Sequence, residues 1–276
     1  MKPALGLLVV LAALAVAGAE AHANGSPYSP GLSYGWDGVR APGADVRFVT
    51  LGDDRATTVA AIRVRGGRVL RSWALPGFYG IPLVAYDGTA GGLSGDRRSL
   101  VISSYGPLPG KAGTTRFAVL ATRTLRPKRL VELTGSWSFD AISPDGSLLY
   151  LVEHLSAGAN PRYRVRLFDL AAGRLLQHAI ADRIDEEAVM RGRPVTRATS
   201  LDGRWAYTLY ARLRQGPFVH ALDTARREAV CVDLPLRLAE PKQWDLRLRA
   251  DRDAVRVVRG SATVARIDAR SLSPSR

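Results

Sequence analysis

The sequence contains a single cysteine, Cys231, which excludes an internal disulfide framework. Its setting in the apolar run AVCVDL reads as a small hydrophobe in a strand. Histidine is almost as scarce. Beyond His22 it occurs only at His154, His178 and His220, and no pair has metal-ligand spacing such as that of HExxH. No metal site and no cofactor are expected. Lysine is confined to Lys2, Lys111, Lys128 and Lys242, so the formal net charge of +14 is carried by arginine. Helical periodicity is also lacking, and only Arg183 to Arg191 reads as a short helix.

Long apolar runs are absent after the first residues. Lys2 followed by the apolar stretch Leu5 to Ala17 and the small-x-small site Ala21-His22-Ala23 has the order of an export signal. The stretch is short of the ~20 residues a spanning helix needs. Residues 1–23 are therefore expected to be removed, with no transmembrane segment in the mature chain. The protein is expected outside the cell or in the cell envelope. Residues 24–276, 276 − 23 = 253 in number, are expected to form one domain.

The positive charge favours an anionic partner, such as a cell-envelope component or an anionic polymer. The arginines are dispersed, with little aromatic interleaving, so no specific nucleic-acid partner is expected.

What the sequence has is repetition. The stretch SPDGSLLYLVEH (Ser143 to His154) places a Ser-Pro-Asp-Gly turn before an unbroken apolar strand. GLSGDRRSLVIS (Gly92 to Ser103) and TSLDGRWAYTLY (Thr199 to Tyr210) repeat it, with fainter copies at Arg40 to Leu51 and Leu248 to Val258. The turn residues Gly43, Asp96, Asp145, Asp202 and Asp251 are separated by 96 − 43 = 53, 145 − 96 = 49, 202 − 145 = 57 and 251 − 202 = 49. Around each turn the order is constant. A strand such as SFDAIS or PVTRATS precedes it, the apolar strand follows, and a third strand such as YRVRLFD ends in an acidic turn. A fourth strand, such as RLLQHAIA or EAVCVDL, closes the unit. The expected fold is all-β: a β-propeller of four-stranded antiparallel blades, about five in number. The last copy has only three strands, so residues 24 to 36 are expected to pair near Ala262 to Ala269 and close the ring.

SPDGSLLYLVEH with RLFDLAAGRLL resembles the repeats of secreted bacterial propellers of the TolB-like and YVTN-repeat kind. Their second turn has the form Asp-x-x-x-Gly, here Asp169 to Gly173. The resemblance covers most of Arg40 to Ala269 and implies scaffolds, receptors, envelope-complex subunits and occasional lactonase-like or lyase-like enzymes. It also implies that the strand before each SPDG turn is innermost and that the turns share one face. The opposite face then carries Tyr79, Trp137, His154, Arg162, Arg193, Arg212 with Gln215, and Trp244. Aromatic and arginine side chains around a pore mouth suit a polar or anionic ligand, and these are the expected binding residues.

Other signatures read as structural. Gly92-Leu-Ser-Gly-Asp96 departs from a nucleophile elbow at its last position, and Ser94 matches Ser143 as a turn residue. Gly106 to Lys111 is a poor phosphate loop, since its prolines lack N–H donors. Asp182, Asp185, Glu186 and Glu187 lack the glycine punctuation of a calcium loop and read as a solvated segment paired with arginines. With no catalytic residues identified, the expected function is a non-enzymatic scaffold or binding module for a protein or cell-envelope partner. The alternative is a lactonase-like or other hydrolytic propeller working at the pore mouth.

Overall fold

The computed structural model describes residues 37–52, 55–158, 160–180, 182 and 188–275. The export signal, the segment 24–36 and most of the acidic cluster lie outside these residues.

Among the described residues, nineteen strands form five antiparallel sheets in chain order. The first holds β1 (Val46–Gly52), β2 (Ala56–Arg63) and β3 (Val69–Pro76), and the second β4 (Ser99–Ser103), β5 (Thr114–Ala121) and β6 (Pro127–Thr134). The third runs β7 (Trp137–Ile142), β8 (Leu148–Ser156), β9 (Arg162–Asp169) and β10 (Arg174–Ile180), with β11 (Met190–Arg191) continuing its outer edge against β9. The fourth holds β12 (Arg193–Thr199), β13 (Trp205–Ala211), β14 (Phe218–Asp223) and β15 (Glu228–Asp233). The fifth holds β16 (Leu246–Ala250), β17 (Ala254–Arg259), β18 (Ala262–Asp268) and β19 (Pro274–Ser275). Short bridges supply the inner position of the first two sheets, Val39 against Phe48 and Leu93 against Leu100. Each sheet is thus a meander from inside to outside: the fold is a five-bladed β-propeller.

The packing explains the unbroken apolar second strand. Successive side chains of a strand point to opposite faces, and each blade is covered on both. In β8, Leu149 and Leu151 join the cluster shared with the second blade, while Leu148, Tyr150 and Val152 join the cluster shared with the fourth. In β13, Tyr207, Leu209 and Ala211 face the fifth blade, while Ala206 and Tyr210 face the third. Phe117 and Val119 of β5 face the third blade, and Ala118 and Leu120 the first. The more peripheral β9 alternates as expected. Tyr163, Val165 and Leu167 are buried, and Arg164 and Arg166 pair with Glu153 at 2.7 and 3.0 Å.

The turns are held by their own side chains. In the SPDG copy, the Ser143 hydroxyl donates to Asp145 Oδ1 at 2.5 Å and accepts from Leu148 N at 2.9 Å. Gly146 supplies a φ of 73°. The Ser143 hydroxyl and the Ser147 donors hold the Asp145 carboxyl below the usual carboxylate range. Ser94 with Asp96 (2.6 Å) and Ser200 with Asp202 (2.5 Å) repeat the arrangement.

Two expectations change. The helix expected over 183–191 is not what its described part shows, because Met190–Arg191 is strand, added to β9 where β10 stops. Residues 183–187 lie outside the described residues. The helix among the described residues is α1 (Glu240–Gln243), a single turn with Pro241 at its start. At the last blade, Pro274 and Ser275 pair with Ile267 and Arg266. The strand expected at that edge from residues 24–36 lies outside the described residues. No described helix is long and apolar enough to cross a membrane.

Candidate functional site

Of the seven expected binding residues, Tyr79 and Trp137 are buried and hold equivalent places in successive blades. Thr57 Oγ1 donates to Gly77 O at 2.8 Å and accepts from Tyr79 N at 2.8 Å. Thr115 Oγ1 repeats this with Gly135 O at 2.8 Å and Trp137 N at 3.2 Å. The three positions each recur at the same interval: 115 − 57 = 58, 135 − 77 = 58 and 137 − 79 = 58. These aromatics are anchors of the interblade linkers, and Trp137 Nε1 is satisfied by Thr134 O at 2.9 Å.

His154 is buried, 2.9 Å from Ser138 Oγ through Nε2, and burial pushes its imidazole down to about 4. Arg162 is exposed at the start of β9. Arg212 is tied to Gly216 O at 2.7 Å and Asp233 at 2.5 Å and lies over the Phe218 ring. Trp244 donates to Glu240 at 2.6 Å and meets Tyr86 edge-on at 5.3 Å. Arg193 is near the same tyrosine: burial raises the Tyr86 hydroxyl and the Arg193 charge partly offsets it. The structure therefore brings together Arg193 and Trp244, through Tyr86, and disperses the others.

Tyr86 belongs to a hairpin that the sequence reading did not identify. Leu83 bridges Ala90, Val84 N donates to Thr89 O at 2.9 Å, and Gly88 at φ 84° forms the tip. The hairpin leaves the linker between the first two blades and reaches the fourth, where Tyr86 N and Asp87 N donate to Pro194 O and Val195 O at 2.9 and 3.1 Å. It occupies the loop-face end of the channel, where the pore mouth was expected. Ala85 and Val84 are buried in it.

The opposite, turn-face end holds a cavity of about 200 Å³. Its wall comes from the inner strands of blades one to four and the first turns of blades one, two and four, with Val84 of the hairpin beneath. Two of the residues that line it carry charge and pair with each other. Asp140 of β7 and Arg197 of β12 are both buried, with side chains 3% and 6% exposed. Arg197 donates to the Asp140 carboxylate and to the Asp140 carbonyl, and its Nε donates to Thr208 Oγ1 at 2.9 Å. Asp140 Oδ2 is buried with no hydrogen-bond partner among the described residues. The register of β7 shifts between Phe139 and Ala141, so Asp140 is the extra residue of a bulge. Bulges re-aim side chains, and this one carries the charged residue of a fully buried strand.

The rim is built differently. Gly95 and Gly203 touch, and a Cβ on Gly203 would lie 2.7 Å from Gly95 Cα. Asp96 N donates to Pro144 O at 2.8 Å. The first turns of blades two, three and four thus meet over the cavity. Arg40 and Arg97 are exposed and line it. Arg97 holds a φ of 61° where the aligned turns have Gly146 and Gly203. None of the seven expected residues lines this cavity. Asp140 and Arg197 were missed, although a signal was present. They stand 197 − 140 = 57 apart, the same interval as Asp145 to Asp202, so one repeat position carries opposite charges in adjacent blades.

The remaining candidates are structural. Ser94 Oγ is committed to Asp96 and accepts from Ser99 N at 3.0 Å. Asp182 accepts from Cys231 N, while residues 185–187 lie outside the described residues. Cys231 is half-buried 3.6 Å from His220 Nδ1, and burial pushes its thiol well up. Among the described residues, no group of three or more His, Cys, Asp or Glu side chains could hold a metal ion.

No protein-family model matches the chain, and no curated protein matches it. Solved structures similar to it include the Myceliophteria thermophila Cps50 (Swd1) β-propeller domain, at 12% identity over 83% of this chain and 64% of that one, with a TM-score of 0.47. TolB from Acinetobacter baumannii is similar at 12% identity over 83% of this chain and 50% of that one, with a TM-score of 0.41. Kuenenia stuttgartiensis hydrazine synthase is similar at 17% identity over 67% of this chain and 46% of that one, with a TM-score of 0.39. The chain thus covers less than two thirds of the length of each.

Proposed function

We propose that this chain is an exported, non-enzymatic propeller that works as a binding module, taking a ligand or a partner's polar group into the turn-face end of its channel. The observation that carries the reading is the turn-face cavity itself, lined by residues of four blades with the exposed Arg40 and Arg97 among them. Pockets with a few placed polar groups are the usual form of a small-molecule site. The groups that could act as nucleophiles or bases are tuned the other way. Burial raises the Cys231 thiol and lowers the His154 and His220 imidazoles, and the turn serines are bonded to turn aspartates. Export and a cell-envelope setting rest on residues 1–23, and kinship with TolB-like or YVTN-type propellers rests on the Ser143 to Gly173 repeat.

A thermal-shift series on residues 24–276 tests this, across small polar solutes, anionic polymers and divalent metals, with and without chelator. A ligand that binds only the folded state raises the Tm by mass action. The reading expects a saturable shift from a small polar solute that survives chelator. A shift that requires a divalent metal and is abolished by chelator would overturn it in favour of a hydrolytic site.

A further inference from the structure

We propose that the free face of the fifth blade is a docking surface for a carboxylated polysaccharide, held by a row of arginines that runs across its strands. This surface is separate from the turn-face cavity and does not depend on it.

The face is free because the blades are not sealed to one another equally. Hydrophobic clusters join the first blade to the second, the second to the third, the third to the fourth and the fourth to the fifth. Among the described residues no such cluster joins the fifth to the first. Leu246 and Leu248 of β16, Val255 and Val257 of β17, and Ala265 and Ile267 of β18 all turn to the fourth blade. The alternate positions of these strands form the other face.

On that face the register sets like charges side by side. Arg249 lies opposite Arg256, and Arg256 opposite Arg266. Adjacent strands are about 4.8 Å apart, so the three arginines stand in one line across the blade. Like charges directly opposite one another destabilise a sheet. Asp251 relieves only the middle of the row, accepting from Arg256 at 2.6 and 3.2 Å. Those bonds, with the charges of Arg256, Arg266 and Arg249, hold its carboxyl below the usual carboxylate range. Arg249 and Arg266 are exposed, and among the described residues neither guanidinium has a hydrogen-bonded partner. Residues 246–275 hold seven arginines and three aspartates, a net charge of 7 − 3 = +4, so the blade cannot neutralise the row from within. An anion with several charges would.

What the face lacks narrows the partner. Residues 246–275 include no Phe, Tyr or Trp, so nucleic-acid bases have no platform on which to stack. None of the exposed large hydrophobic residues belongs to this blade, so it has nothing to insert into a lipid surface. The core of a protein–protein interface is depleted of charge, whereas charge is the centre of this face. A linear polymer of acidic sugars suits it as it stands. Such a polymer is hydrophilic and repeats a carboxylate along its length, so successive carboxylates can meet successive guanidiniums in the planar geometry that arginine favours.

Binding of sodium polygalacturonate to the purified protein, measured by biolayer interferometry, tests the proposal against dextran, single-stranded DNA and phosphatidylglycerol vesicles. Polygalacturonate is expected to bind at least tenfold more tightly than any of the three, and to weaken as salt screens the contact. Arg249→Gln/Arg266→Gln is expected to weaken it at least tenfold while leaving the Tm unchanged or raised, because the row loses its repulsion. Arg123→Gln/Arg129→Gln removes the same charge from exposed positions of the second blade and is expected to change the affinity less than twofold. Equal losses from the two double variants would show attraction to net charge alone and overturn the proposal. DNA or vesicles binding as tightly as polygalacturonate would overturn the choice of partner, and absence of polygalacturonate binding at low salt would overturn the docking surface itself.

Discussion

Arg197→Met should unfold the protein far more easily than its single lost side chain suggests. Arg197 is the donor to both Asp140 Oδ1 and Asp140 O, and the Asp140 side chain is only 3% exposed. Removing the guanidinium leaves a buried carboxylate with neither oxygen paired. Breaking a buried pair from one side costs about 3–5 kcal/mol. For a domain of this size each kcal/mol moves the Tm by about 2–4 °C, so the fall should be roughly 6–20 °C. Asp140→Leu should cost a comparable amount, since it strands the guanidinium. The double variant Asp140→Leu/Arg197→Met should recover most of the loss, because replacing a buried pair with apolar groups is often close to neutral. Urea unfolding of the four proteins closes the cycle. Losses below about 1 kcal/mol for each single variant, or a double variant that costs their sum, would show that the pair is solvated and would refute the buried geometry.

The interblade linkers make an independent prediction: Thr115→Val removes the acceptor for Trp137 N and the donor to Gly135 O. It should cost about 1–3 kcal/mol in urea unfolding. Thr57→Val, which breaks the same pair of bonds at Tyr79 and Gly77, should cost a similar amount, and two neutral variants would contradict the anchor role. Acid should destabilise the fold before its carboxylates titrate. The His154 imidazole falls from 6.5 to about 4 on burial, so the unfolded chain takes up its proton first. Stability present above pH 6.5 is then lost as the pH falls towards 4, by about 3 kcal/mol from this residue, and His220 shifts in the same direction. The turn carboxylates Asp145 and Asp202 are lowered from 3.8 and contribute their losses only below that pH. A stability profile flat between pH 6.5 and 4 would contradict the burial of both histidines.

The parts of the fold legible in the sequence are those whose cause is local. Ser143, Asp145 and Gly146 make their turn from their own side chains and backbone, so the repeat shows wherever that chemistry recurs. The two-sided burial of β8 and β13 likewise leaves an unbroken apolar run. The site was not legible because it depends on which blades meet. Tyr79 and Trp137 look like ligand-binding aromatics in a loop, yet Thr57 and Thr115 fix them as packing anchors. Tyr86-Asp87-Gly88 carries an Asp-Gly hairpin signal, but only the ring shows that its tip reaches Pro194 and Val195 and fills the expected pore mouth. Asp140 and Arg197 each look like a stray charge in an inner strand. Their meaning appears when adjacent repeats are aligned and the two are found at one position with opposite signs.

The most direct test of the account is a crystal structure of residues 24–276 soaked with the small polar solute that gives the largest saturable thermal shift. The account predicts ligand density in the turn-face cavity, while the hairpin of Leu83 to Ala90 stays bonded to Pro194 and Val195. Ligand bound at the loop face among Arg193, Tyr86 and Trp244, with the turn-face cavity empty, would contradict it.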